Sequence, residues 1–205
     1  MTTRTAETSP RTYARIAGVL YLIIFVAGPF AFFLGRTSVV VPGDATATAN
    51  NIMASESLFR IGMVAESVVF LAEIVLAAYL YVLLKPVSAP LSLAAAFSRL
   101  AEAVVQAVNL LTGLPALLLL AGAGYLTVFE PAQLDALVLL FLDANAFVIL
   151  VWGLIFGFHL LLLGYLVYKS GFWPRILGIL LLLAALGYLC LLYTSPSPRD
   201  LRQDL

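Results

Sequence analysis

The stretch LFRIGMVAESVVFLAEIVLAAYLYVLL, Leu58 to Leu84, decides the fold. Its 27 residues exceed the roughly 20 that cross a hydrocarbon core as an α-helix, and only Arg60, Glu66 and Glu73 in it carry charge. Arg60 opens the run. Glu66 and Glu73 lie inside it, seven residues or about two turns apart, so both carboxylates occupy one face. An acidic side chain near mid-depth costs roughly 2.5 to 3.5 kcal/mol on insertion scales, so two of them need partners or water.

The partner face lies in the next apolar run, Leu91 to Leu120. There Arg99, Glu102, Gln106 and Asn109 follow at spacings of three, four and three, which is one side of a helix. The connection through Lys85, Pro86 and Pro90 is short, so the two helices return antiparallel as neighbours. Aligned by depth, Asn109 falls near Glu66, Glu73 falls between Glu102 and Gln106, and Arg99 sits about a turn further in. A buried polar seam between these two spans is expected, with Arg99 pairing to Glu102 on its own helix or to Glu73 across the interface. Three carboxylates against one arginine leave surplus acid, which takes up a proton or binds a cation or polar solute. The plainer reading is interhelical glue, with hydrogen bonds of about 0.6 to 2 kcal/mol each.

Working outward, Ile16 to Leu34 is a first span, bent near Gly28 and Pro29, behind a polar tail over residues 1–13 that carries Arg4 and Arg11. It is longer than the apolar core of a cleaved signal peptide. Pro42 and Gly43 make a turn before Asp44, the N-cap of a short helix over about 44–55. Ala45, Ala49, Ile52 and Met53 share one side of it, and Thr46, Thr48, Asn50 and Asn51 take much of the other. It reads as a surface helix on the outer membrane face rather than a lid.

Leu134 to Tyr168 is a fourth span, long enough to tilt or to begin at the interface. Asn145, Trp152 and His159 repeat at seven along it, and Gly153 with Gly157 suits close helix contact. His159, near the depth of Arg99, either joins the seam or is a packed, hydrogen-bonded residue. Asp143 matches the depth of Glu66 or sits among headgroups. A fifth span covers about 176–192.

The fold class is therefore all-α: a polytopic transmembrane helical bundle forming one domain over 14–189, with five spans. Arg4, Arg11, Arg15, Lys85, Lys169 and Arg175 fall on one side, which makes the N-terminus cytoplasmic; the expected location is the cell inner (plasma) membrane. With 63% hydrophobic and 11% charged residues and a mean hydropathy of +1.07, the chain cannot cover a soluble globule. A formal charge of zero with no basic patch excludes electrostatic nucleic-acid binding. One cysteine, Cys190, and one histidine exclude a Cys/His zinc site, and no metal, cofactor or catalytic motif is expected. Expected partners are the lipid bilayer and a proton or small polar solute, with self-association left open.

Candidate binding residues are Glu66, Glu73, Arg99, Glu102, Gln106, Asn109, Asp143 and His159. Three functions are compatible with them: a carrier or channel, a structural or regulatory protein held by polar glue, and an intramembrane enzyme with the outer helix as lid over Glu66 and Asp143.

Arg15-Ile16-Ala17-Gly18 with Tyr21-Leu22, the loop Val41-Pro42-Gly43-Asp44-Ala45, Leu58-Phe59-Arg60 and the run LGYLVYKSGFWPRILG from Leu163 to Gly178 resemble domain-of-unknown-function family 4386, a bacterial group of integral membrane proteins. The resemblance implies a helical membrane fold that usually continues into a sixth span. It implies neither an activity nor catalytic residues. The end of the chain, CLLYTSPSPRD from Cys190 to Asp200, is similar to a translated sequencing adapter, so residues 190–205 read as a non-native tail.

Overall fold

A computed structural model describes residues 9–194. Most of the polar N-terminal tail, Arg4 included, and residues 195–205 of the adapter-like tail lie outside the described residues. The chain folds as α1 (Pro10–Pro29), a π-helical continuation (Phe30–Thr37), α2 (Ala45–Ala54), α3 (Glu56–Leu84), α4 (Ala89–Leu120), a 3₁₀ turn (Gly124–Val128), α5 (Pro131–Ser170) and α6 (Arg175–Thr194). Among the described residues there is no strand. Four helices, Pro10–Thr37, α3, α4 and α5, are long and apolar enough to cross a membrane, and the apolar part of α6, Arg175–Cys190, is shorter.

The hairpin of α3 and α4 forms as its short connection requires, closed by Ser92 Oγ donating to Tyr81 O at 3.0 Å. α5 starts with a capping box between Glu130 and Gln133 and ends where Gly171 takes a left-handed φ of 72°. At 40 residues, or about 60 Å, it is twice the hydrocarbon thickness. Its first turns serve as a support for α2, and Thr46 Oγ1 donates to Asp135 Oδ2 at 3.0 Å.

Two expectations change. α2 is capped by Asp44, whose Oδ1 accepts from Ala47 N at 2.8 Å, but the residues on its inner face are not all those expected. Met53 is exposed, whereas Thr48 is fully buried, donating to Val41 O and accepting from Val41 N at 2.9 Å. The threonine faces inward because the loop backbone folded beneath it supplies both partners. Ile52 then packs with Val39, Phe59, Ala116, Val138 and Leu142, so α2 closes one end of the bundle.

The first span also differs. It begins at Pro10, with proline in the first turn where its missing N–H costs nothing, and it runs unbroken through Pro29 to Thr37. The missing N–H of Pro29 is absorbed by a switch to wider π turns, which shift the helix phase for the residues that follow. Arg36 therefore belongs to the span and is buried, not the first residue of a loop.

Candidate functional site

The site starts from two glycines. A Cβ on Gly62 would lie 2.5 Å from Gly35 Cα, so the π-helical end of the first span and α3 cross backbone against backbone. Each glycine is next to an ionic side chain: Arg36 follows Gly35, and Glu66 lies one turn beyond Gly62. Arg36 Nη2 sits 3.6 Å from Glu66 Oε1, and Arg36 Nη1 donates to Thr112 Oγ1 of α4 at 2.9 Å. Gly113 makes room for the guanidinium, since a Cβ there would meet Arg36 Nη2 at 3.4 Å. Thr112 Oγ1 donates in turn to Asn109 O, and Asn109 Oδ1 accepts from Asn145 Nδ2 of α5 at 2.6 Å. One chain of contacts thus joins four spans.

A second cluster lies about two turns away along α3. Arg99 Nη1 donates to Glu102 Oε2 at 3.0 Å and Nη2 stands 3.6 Å from Glu73 Oε1. All three side chains are at most 3% exposed. The rings of Tyr21 and Phe156 stand 5.8 and 5.6 Å from the guanidinium carbon, so cation–π attraction supplements the ion pairs. His159 Nδ1 is 2.9 Å from Ala95 O, and because a carbonyl only accepts, Nδ1 carries the proton. The same nitrogen is 4.0 Å from Glu102 Oε1.

Between the clusters lies a cavity of about 380 Å³ whose polar lining includes Arg36, Glu66, Glu73, Arg99, Gln106 and Asn109. Glu66 Oε2 and Glu73 Oε2 are buried without a hydrogen-bond partner, as is Trp152 Nε1 on the opposite wall. Trp152, Phe156 and Tyr188 form one aromatic cluster there, with centroids 4.8 to 6.1 Å apart. The size suits a small molecule, since such sites occupy about 300 to 1,000 Å³.

Six of the eight residues expected from the sequence, Glu66, Glu73, Arg99, Glu102, Gln106 and Asn109, fall along this seam. His159 touches it through Glu102, with its ring anchored to Ala95. Asp143 does not reach it; the side chain is exposed on the outside of α5, two residues and so about 200° from Asn145. The seam is not confined to α3 and α4, because Arg36 and Tyr21 come from the first span and Asn145 from α5. The surplus of acid is correspondingly smaller, with three carboxylates against two guanidiniums. Arg60 forms an exposed pair with Glu56 and stays outside the seam. Among the described residues no group of three or more His, Cys, Asp or Glu could hold a metal ion.

Compared with known proteins, residues 16–195 match the model of a family described as Domain of unknown function (DUF4386). The chain belongs to this family. The DUF4386 match covers every described helix except the first turns of α1. An uncharacterized protein from Archaeoglobus fulgidus is 59% identical over 34 residues, which is 17% of this chain and 21% of that relative. The chain thus spans about a fifth of that relative's length. No solved structure matches.

Proposed function

We propose that this DUF4386 protein is a small carrier of the bacterial plasma membrane, N-terminus inside, whose buried chamber takes up a proton or a small polar solute. The observation that carries the reading is the chamber itself: a cavity of about 380 Å³ lined by two guanidiniums and two carboxylates whose second oxygens have no partner. Glue alone requires helices that close on their polar groups. Here the helices stand apart around them, and space of this size with several polar partners admits water. Buried ionisable groups beside water within a membrane are the usual makings of an ion or proton path.

The test is proton uptake by liposomes containing the purified protein under an imposed pH gradient, with Glu73→Gln and Glu66→Gln beside the wild type. Uptake lost in either variant at unchanged melting temperature supports a carrier. Unchanged uptake with a lowered melting temperature assigns the seam to helix packing and removes the proposal.

A further inference from the structure

The two arginine clusters differ in charge balance. Arg36 faces one carboxylate, Glu66, and gives a further N–H to Thr112. Arg99 faces two carboxylates, Glu73 and Glu102. The other polar groups packed around Arg99 bring no second positive charge. Tyr21 from the first span and Tyr188 from α6 are phenols, neutral at physiological pH. His159 from α5 gives its Nδ1 proton to Ala95 O, while its Nε2 is buried without a partner, so a second proton there would bury an unpaired cationic N–H in the cluster of a guanidinium. Among the described residues, every other lysine and arginine lies in the first or last two turns of its helix or just beyond.

Two carboxylates against one guanidinium leave one negative charge. It lies about 15 Å along α3 and α4 from their short connection, half the hydrocarbon thickness, where an uncompensated charge is costly. A cation, a shell of water or a proton balances such a charge, and space decides among them. Glu73 Oε2 and Glu102 Oε1 are the two carboxyl oxygens here without a hydrogen-bond partner, and both are sealed from solvent. The side chains of Glu73, Arg99 and Glu102 are at most 3% exposed. The described residues themselves enclose both oxygens, leaving no room against them for an ion, a water molecule or a further side chain. A proton needs none.

Geometry also orders the two carboxyls. Glu102 Oε2 accepts from Arg99 Nη1 at 3.0 Å, the charge-assisted bond of an ionised carboxylate. Glu73 Oε1 stands 3.6 Å from Nη2, too far for a hydrogen bond, and Glu73 is the member of the pair that lines the chamber. We propose that Glu73 and Glu102 form a one-proton site on Arg99: the pair holds a single proton at rest, seated on Glu73, and exchanges it with the chamber through that carboxyl. This rests on the carrier reading for the use of the proton and names the proton as the species bound. When the proton passes to chamber water, Glu73, Glu102 and Arg99 together carry one negative charge until the site refills.

The test counts protonated glutamates by infrared absorption of the purified protein in detergent micelles, with isotope-labelled glutamate to set them apart from aspartate. At about pH 7 a glutamate with the ordinary pKa of about 4.3 is ionised and does not contribute. The expected count is one protonated carboxyl per chain in the wild type and none in Glu73→Gln. Glu102→Gln also shows none, because Glu73 then becomes the single partner of Arg99, although a titratable carboxyl remains in the chamber lining. Arg99→Gln shows two, and His159→Gln keeps one. No protonated glutamate in the wild type, or its persistence in Glu73→Gln, overturns the site, and these two counts decide even where Arg99→Gln fails to fold. A resident proton without Glu73-dependent uptake by liposomes retains the site and removes the carrier. Glu73-dependent uptake with no resident proton overturns the site and leaves the carrier reading standing.

Discussion

The Gly35–Gly62 crossing is the most exacting point in the structure, and Gly62→Ala tests it. The added Cβ would lie 2.5 Å from Gly35 Cα and 3.3 Å from Gly35 C, atoms of a backbone that no rotamer change can move aside. Carbon atoms in contact sit about 3.5 to 4.0 Å apart, so the two helices must separate locally by about 1 Å or more. Overpacking of this kind costs about 1 to 3 kcal/mol. The separation acts one turn from Glu66 and one residue from Arg36, whose 3.6 Å pair is already long, so the ion pair breaks as the helices part. Gly35→Ala makes the same contact from the other side, and the double variant costs less than the sum of the two because one separation serves both. Gly18→Ala is the control, since a Cβ there meets nothing within 4 Å. Thermal unfolding of the purified protein in micelles measures all four. If Gly62→Ala melts with Gly18→Ala, the crossing is not where the structure places it, and the positioning of Arg36 falls with it.

Arg36→Ala leaves Glu66 buried and unpaired and costs about 3 to 5 kcal/mol, while Arg36→Met with Glu66→Leu recovers most of that loss; unfolding midpoints across the cycle give the coupling. Thr48→Val keeps the shape of α2 but strips Val41 N and O of their partner, costing about 1 to 3 kcal/mol and opening the α2 end to limited proteolysis before the rest of the bundle. Asn145→Leu removes one hydrogen bond between α4 and α5 and costs only about 0.6 to 1.7 kcal/mol by the same melting assay.

What could be read from the sequence was whatever obeyed helical periodicity within long apolar runs. The spacing of Arg99, Glu102, Gln106 and Asn109 placed them on one face, and the short connection at Pro86 placed that face against Glu73. Arg36 escaped because it follows Leu34 and Gly35, where a hydropathy reading ends the span. The π turns after Pro29 that carry it inward leave no periodic signature. Its traces were the glycines: Gly35 and Gly62 flank the two partners, but one helix cannot show which glycine on another it meets. The aromatic wall was hidden differently. The spacing put Trp152 on the face of Asn145 and His159, but it could not show that Phe156 joins it until α6 brings Tyr188 to within 4.8 Å of the Phe156 ring. Thr48 shows the opposite failure, a residue placed on the wet side by its hydroxyl and buried by its loop.

Because the same side chains hold the helices and line the chamber, stability alone cannot say what the seam is for; Glu73 and Glu102 separate the two roles. Both carboxylates bind Arg99. Glu102 has the shorter contact, 3.0 against 3.6 Å, and is fully buried outside the chamber lining, whereas Glu73 lines the chamber; each keeps one oxygen without a hydrogen-bond partner. If the seam only packs helices, Glu102→Gln is the more damaging change by every measure, since it weakens the tighter bond. If the chamber binds, the order crosses: Glu102→Gln lowers the melting temperature more, and Glu73→Gln lowers proton uptake more. Each variant keeps its side-chain shape and removes one ionisable carboxyl beside Arg99. A crossed order therefore cannot arise from charge or general destabilisation, only from which carboxylate faces the cavity. Effects ranked alike in melting and in uptake would refute the chamber and leave Glu73 as a packing residue.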